Sequence, residues 1–138
     1  NSILGLISNN YAAGIVVKQD GKAVGLLNGN EKCSYAVFIG DKQTPGIITA
    51  RKDNTVEIKY IPLWSEISVG DEVITSGMDN IFVKGLKVGK ITKIENRPNM
   101  QVASIKMYAN VLKNKYFYVY KNNDKLKNQN QKTTTSNK

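Results

Sequence analysis

The amino-acid sequence predicts an all-β fold arranged as small barrels. Three observations point that way. The dominant hydrophobic period is two and not 3.6, most clearly in residues 55–61. Gly, Asp, Asn and Pro punctuate the chain at short intervals, with glycine at 11 of its 138 positions. Almost no stretch carries a helical apolar period, so a βαβ arrangement is disfavoured and about nine short strands remain. Closing such strands into barrels hides the sheet edges that would otherwise invite aggregation.

Each element has its own local cause. Residues 11–19 and 22–28 flank Asp20-Gly21, a dipeptide suited to the positive φ values of a type I′ turn, and form a hairpin. Residues 34–39 (Ser-Tyr-Ala-Val-Phe-Ile) form the next strand, stopped by Gly40-Asp41. Residues 46–51 follow, started by Pro45, which donates no ladder hydrogen bond and suits a first position. In residues 55–61, Val56, Ile58 and Tyr60 share one face, and Thr55, Glu57 and Lys59 the other, as in a half-buried strand. Pro62 breaks this pattern, so residues 62–68 read as a loop or single turn. Gly70-Asp71 opens a short strand over 72–76. Ser76 to Lys84 reads as a compact turn plugged by Ile81 and Phe82. Residues 87–95 and 101–107 make a long hairpin around Asn96-Arg97-Pro98-Asn99. The spacing of Val88, Ile91 and Ile94 predicts a bulge at Gly89-Lys90. Residues 109–113 suit one helical turn, and 116–120 (Tyr-Phe-Tyr-Val-Tyr) a closing strand. Residues 122–138 hold one Leu among polar residues and are expected to be a disordered, basic tail.

Composition narrows the chemistry. A chain of 138 residues suits one domain, or two very small ones sharing a core. No apolar run is long enough to cross a membrane, and Asn1 opens no signal-peptide pattern. A first residue other than Met leads us to expect a fragment of a longer protein. The formal charge is +9, but residues 121–138 contribute five lysines against one aspartate, and the remainder reads mostly as a solvated face. Cys33 is the only cysteine and histidine is absent, which excludes an internal disulfide and Cys/His zinc sites. Ser-His-Asp and Cys-His catalysis are excluded as well, since both need an imidazole. No cofactor and no metal are expected. Asp71 and Glu72 are adjacent, so on a strand they face opposite ways and make a poor acid/base pair. Thr75 and Ser76 lack the S-x-x-K spacing of serine–lysine hydrolases.

Residues 69–91 are the most specific stretch. There the matching positions are Gly70, Asp71, Val73, Thr75, Ser76, Gly77, Ile81, Phe82, Gly85, Leu86, Val88 and Gly89. Together they resemble the pattern V-x-x-G-D-x-V-x-T-S-G-x-x-G-I-F-P-x-G-L-x-V-G-x-V of the MreC family of rod shape-determining proteins. Asn80 stands where that family usually has Gly, and Val83 where it usually has Pro. Looser likeness continues through Tyr11–Val17, Gly25-Leu26-Leu27 and Pro45-Gly46-Ile47, covering most of residues 11–121. The resemblance implies two small, closely joined six-stranded-type β-barrels within residues 1–121, divided roughly between residues 40 and 66. Residues 1–10 then read as an orphaned strand of the first barrel.

The resemblance also implies a non-catalytic scaffold of the bacterial cell-wall elongation complex. Such a scaffold would be the periplasmic domain of an inner-membrane-anchored protein. It would bind the elongation transpeptidase penicillin-binding protein 2, a RodA-type glycosyltransferase, MreD and MreB, and would associate with itself as dimers or filaments. Gly70, Asp71, Thr75, Ser76, Gly77, Gly85 and Gly89 would be structural within the motif. For the partner-binding strip, the aromatic residues Tyr116, Tyr118, Trp64 and Phe82 are the candidates, because Tyr and Trp anchor protein interfaces. Tyr60 and Phe82 also suit the core, and Trp64 suits either an anchor or a core plug. The alternatives are an OB-like module stacking single-stranded nucleic acid on its tyrosines, and a glycan-binding or hydrolytic wall enzyme. Only two arginines are present, which counts against nucleic acid.

Overall fold

The computed structural model describes residues 3–114 and 116–121; the tail expected to be disordered, residues 122–138, lies outside them. Ten strands form in chain order: β1 (Leu4–Ser8), β2 (Tyr11–Gln19), β3 (Lys22–Leu27), β4 (Tyr35–Ile39) and β5 (Thr44–Ala50), then β6 (Val56–Ile61), β7 (Glu72–Thr75), β8 (Lys87–Arg97), β9 (Met100–Met107) and β10 (Tyr118–Tyr120). The strands β7, β4, β5, β6 and β9 pair in that order, and β8 pairs with both β7 and β9. Six strands therefore close into a barrel, which leaves none of those six with a free edge. The strands β10, β1, β2 and β3 form a four-stranded antiparallel sheet beside it. One parallel bridge, Tyr11 to Lys87, joins sheet and barrel.

Local chemistry explains most of this. Asp20 and Gly21 take φ values of 52° and 80°, the left-handed pair that a two-residue hairpin turn needs. One apolar core runs through both units, with Ala12, Ile15 and Leu26 of the sheet packed in a cluster with Val37, Ile58 and Val73 of the barrel. A buried polar relay ties them further. The Tyr35 hydroxyl donates to Asn28 Oδ1 at 2.9 Å, and Asn28 Nδ2 donates to the Ala12 carbonyl at 2.9 Å. Removing either partner would orphan a buried group, which is why such relays fix one geometry.

Three local expectations change. Tyr60 does not join Val56 and Ile58 in the core. The β6–β9 register slips between Ile58 and Ile61, Tyr60 takes φ 61°, and its ring is 60% exposed while Ile61 is fully buried. A bulge inserts one residue and reverses the alternation after it. The bulge expected at Gly89-Lys90 falls on either side of that pair. On the β7 side the register slips across Val88, and on the β9 side across Thr92. Pro45 is the second residue of β5 and not its first. Residues 110–114 do form a single helical turn, with Asn114 N–H donating to the Asn110 carbonyl at 3.0 Å.

Candidate partner-binding surfaces

The motif stretch builds the joint between sheet and barrel. After β7, Thr75 Oγ1 donates to the Val83 carbonyl at 2.6 Å and accepts from Leu86 N–H at 3.0 Å. Ser76 Oγ accepts from Met78 N–H at 3.1 Å. Asp79 accepts from Ala36 N–H at 2.7 Å and from Ile81 N–H at 3.2 Å. Gly77 turns the chain at φ 76°, where a Cβ would also crowd Lys84. Asn80 sits at φ 60°, and Asn is among the side chains that best tolerate this region, so the family's usual Gly is not needed here. At the other end of β7, Asp71 Oδ2 accepts from Ser68 N–H at 2.9 Å and so caps the turn before the strand.

Phe82 is only 1% exposed and meets Tyr35 edge-on at 5.1 Å between ring centroids. It presents no surface to a partner. The apolar loop plug wins over the docking role because its ring completes the core between the two units. The other candidates are exposed: Trp64 at 82%, Tyr116 at 80% and Tyr118 at 48%. They do not form one strip. Tyr118 pairs with Ile7 in the sheet, and Tyr116 lies just before it. Trp64 sits in the connection after β6, whose last residue Ile61 pairs with Gln101 at the start of β9. The sheet joins the barrel at the opposite end, near Lys87 and Phe82.

Sequence reasoning missed several exposed apolar residues: Tyr60, Leu63, Met78, Val83 and Leu112. Pro62 gave the signal for Leu63, since a Pro-broken loop lets apolar residues face solvent. Nothing local marked Leu112. It borders a cavity of about 550 Å³ between β3, the β5–β6 turn and the connection after β9. Such a space arises only from tertiary packing.

Electrostatics give little to chemistry. Cys33 is buried, and desolvation pushes its thiol up to about 12, outweighing a backbone hydrogen bond from Ile15. A thiol so protonated is no nucleophile. Burial likewise raises Tyr35 well above its ordinary value. The Tyr108 hydroxyl is pushed up to about 12, first by desolvation and then by its 2.7 Å hydrogen bond to the Glu72 carboxylate. Among the described residues no three His, Cys, Asp or Glu side chains gather to hold a metal ion, and no helix is long and apolar enough to cross a membrane.

Comparison with known proteins places this geometry. The family model described as "Rod shape-determining protein MreC, barrel core" matches residues 4–121. A chain in the complex between penicillin-binding protein (PBP2) and MreC from Helicobacter pylori is 37% identical, with a TM-score of 0.75, over 79% of this chain and 70% of that one. MreC of Listeria monocytogenes is 26% identical, with a TM-score of 0.66, over 78% of this chain and 55% of that one. The major periplasmic domain from the cell shape-determining filament MreC is 27% identical, with a TM-score of 0.64, over 78% of this chain and 69% of that one. No curated protein sequence matches. The matched span takes in the six-stranded barrel, the adjoining sheet and the motif that joins them, and the chain belongs to the MreC family of rod shape-determining proteins.

Proposed function

We propose that this chain is a non-catalytic scaffold of the cell-wall elongation complex, and that it docks the transpeptidase penicillin-binding protein 2 in the periplasm. The observation that carries this reading is the 37% identity to a chain from a PBP2–MreC complex. A related domain is described as periplasmic and as part of a filament, which supports the compartment and self-association. The surrounding assembly of MreD, MreB and a RodA-type glycosyltransferase, and an anchor in the inner membrane, complete the reading.

Tyr116 and Tyr118 are the docking residues in this scheme, on exposed rings at one edge of the four-stranded sheet. Exposed aromatics of this kind become interface hot spots once a partner excludes water. A scaffold of this kind acts by biasing the partner's conformations, binding one better than another. The test is binding of the transpeptidase ectodomain to the Tyr116→Ala, Tyr118→Ala double variant. A loss of about 30-fold in affinity is expected for hot-spot truncation, with circular dichroism unchanged. Unaltered affinity would remove this face from the interface. Single-stranded DNA serves as the counter-ligand: steep, salt-sensitive binding would favour the OB-like reading instead.

A further inference from the structure

The connection after β6 holds an exposed indole against a cleft with several uncommitted polar groups. Residues 62–65 form a β-turn closed by Ser65 N–H donating to the Pro62 carbonyl at 3.1 Å, which puts Leu63 and Trp64 at its apex. The side chain of Gln101 donates to the Pro62 and Ser65 carbonyls, both at 2.8 Å. The turn is thus ordered before any ligand arrives, and less conformational freedom is lost on binding. Trp64, 82% exposed on this braced turn, adds nothing to the core.

Trp64 shares a cleft of about 260 Å³ with Lys42, Gln43, Pro45, Ser65 and Glu66. Lys42 Nζ and Glu66 Oε1 stand 3.7 Å apart on exposed side chains, so the cleft carries a donor and an acceptor side by side and no net charge. Lys84 Nζ donates to Gln43 Oε1 at 3.1 Å, which leaves the Gln43 amide NH₂ as a donor still open. Ser65 Oγ is enclosed and has no hydrogen-bond partner. An enclosed, unpaired hydroxyl is costly. Rotation about its Cα–Cβ bond lets it meet a ligand in the cleft that its own residue lines.

These groups select a ligand by exclusion. With no net charge the cleft favours an ion of neither sign. A proline-rich peptide wants a groove lined by several aromatic rings, and Trp64 is the one aromatic residue in this wall. A purely apolar group would dry the ion pair, Gln43 and Ser65 without replacing a hydrogen bond. What fits is a neutral ring with C–H bonds on one face and hydroxyls around its edge. The C–H bonds meet the negative face of the indole. The hydroxyls, each both donor and acceptor, meet Glu66, Lys42, Gln43 and Ser65. At about 260 Å³ the cleft lies just under the ~300–1,000 Å³ of sites that enclose drug-sized ligands, so it takes one such ring and leaves the rest of the molecule in solvent.

We propose that the cleft beside Trp64 is a sugar subsite that binds one neutral pyranose ring of a glycan chain. It stands apart from Tyr116 and Tyr118, which lie by the β10 edge of the four-stranded sheet, and does not depend on transpeptidase docking there. A shallow single-ring site binds weakly, with a Kd of order ~1 mM. Such a contact holds the domain against a glycan without fixing it, because a released ring leaves neighbours on the same chain to rebind.

Amide NMR of the 138-residue chain titrated with chitotetraose, a neutral β-linked oligosaccharide, tests this. Saturable shifts are expected at Gln43, Trp64, Ser65 and Glu66, with Tyr118 and Val119 unmoved. Trp64→Ala is expected to weaken binding at least ~10-fold. Ser65→Ala is expected to weaken it ~3-fold or more, yet to leave the melting temperature unchanged or higher, because the lost hydroxyl has no partner in the free protein. That split separates a ligand contact from a structural one. No shifts up to ~20 mM sugar would overturn the proposal. So would full affinity in both variants, or shifts that gather away from the cleft. Shifts with poly-L-proline and none with the sugar would overturn it in favour of a peptide groove. Should Trp64→Ala melt early, Glu66→Gln at an exposed position takes its place, with an expected loss of at least ~3-fold. Transpeptidase binding by the Tyr116→Ala, Tyr118→Ala variant is read separately, so neither result decides the other.

Discussion

Gly5 of β1 lies against the ring of Phe82, so closely that a Cβ on Gly5 would overlap the ring edge and stand 2.9 Å from the Ile81 carbonyl. The motif loop and the N-terminal sheet thus meet at a point where only a hydrogen fits. This explains why the Ile-Phe pair of the motif is structural: it wedges the sheet onto the barrel. Gly5→Ala is expected to cost ~1–3 kcal/mol through overpacking, read as a lower urea midpoint at unchanged slope. Phe82→Leu alone is expected to cost stability by leaving a void. Combined with Gly5→Ala it should recover part of the overpacking loss, so the double-mutant cycle gives a coupling of at least ~0.5 kcal/mol. Strict additivity would show that the two positions do not share strain.

Much of the barrel was legible because its signals are local. Asp20-Gly21 fixes the β2–β3 hairpin by φ alone, and Pro98-Asn99 leaves room for the last. The plug at Ile81 and Phe82 was legible as two apolar residues inside a polar turn. Tyr60 was not, because period two holds only until a bulge, and this bulge is imposed by the partner strand β9 through its pairing of Gln101 with Ile61. The exposure of Tyr116, Tyr118 and Trp64 was legible residue by residue, because their rings are amphipathic. Their separation onto different ends of the molecule was not, because that follows from strand order. Neither was the hollow beside Leu112, whose walls come from three distant segments.

Tyr108 links three elements. Its ring packs on Tyr11 at 5.2 Å, and its hydroxyl donates to Glu72 Oε2. Its folded-state value, near 12, lies above that of a solvated tyrosine, near 10. The proton is therefore held more tightly when folded. The stabilisation is complete below pH ~10 and is lost as pH rises towards 12, since the unfolded chain then releases the proton first. Tyr108→Phe is expected to flatten part of the fall in melting temperature between pH 10 and 12, and to lower stability at neutral pH by ~1 kcal/mol. Tyr35, raised by burial as well, should supply the remaining slope. An identical pH profile in Tyr108→Phe would show that this hydroxyl does not couple to folding.

Cys33 offers a reporter of opening. Its thiol is 1% exposed and held protonated to about pH 12. Alkylation by iodoacetamide at pH 8 is expected to be far slower than for an unfolded peptide thiol, and to accelerate in step with urea unfolding. Fast labelling under native conditions would mean that β4 and the segment before it open locally, well below the global unfolding free energy.

Gln101 braces the turn over residues 62–65 that carries Trp64. It is 6% exposed, and one amide nitrogen serves two carbonyls of the turn that carries Trp64. Gln101→Ala takes the side-chain donor from both carbonyls, leaving that of Pro62 with the Ser65 N–H alone, and is expected to cost ~1–3 kcal/mol. The local effect should exceed the global one. Trp64 is the sole tryptophan, so its fluorescence reports on this turn alone. Its steady-state anisotropy should fall in Gln101→Ala, and the Ser65 amide should exchange faster, while amides of β4 and β5 keep their protection. Gln101→Glu keeps the side-chain length but removes the donors, so it should loosen the turn to the same degree. If that variant instead left the anisotropy at the wild-type value, packing of the Gln101 side chain, and not its two hydrogen bonds, would be what holds the turn.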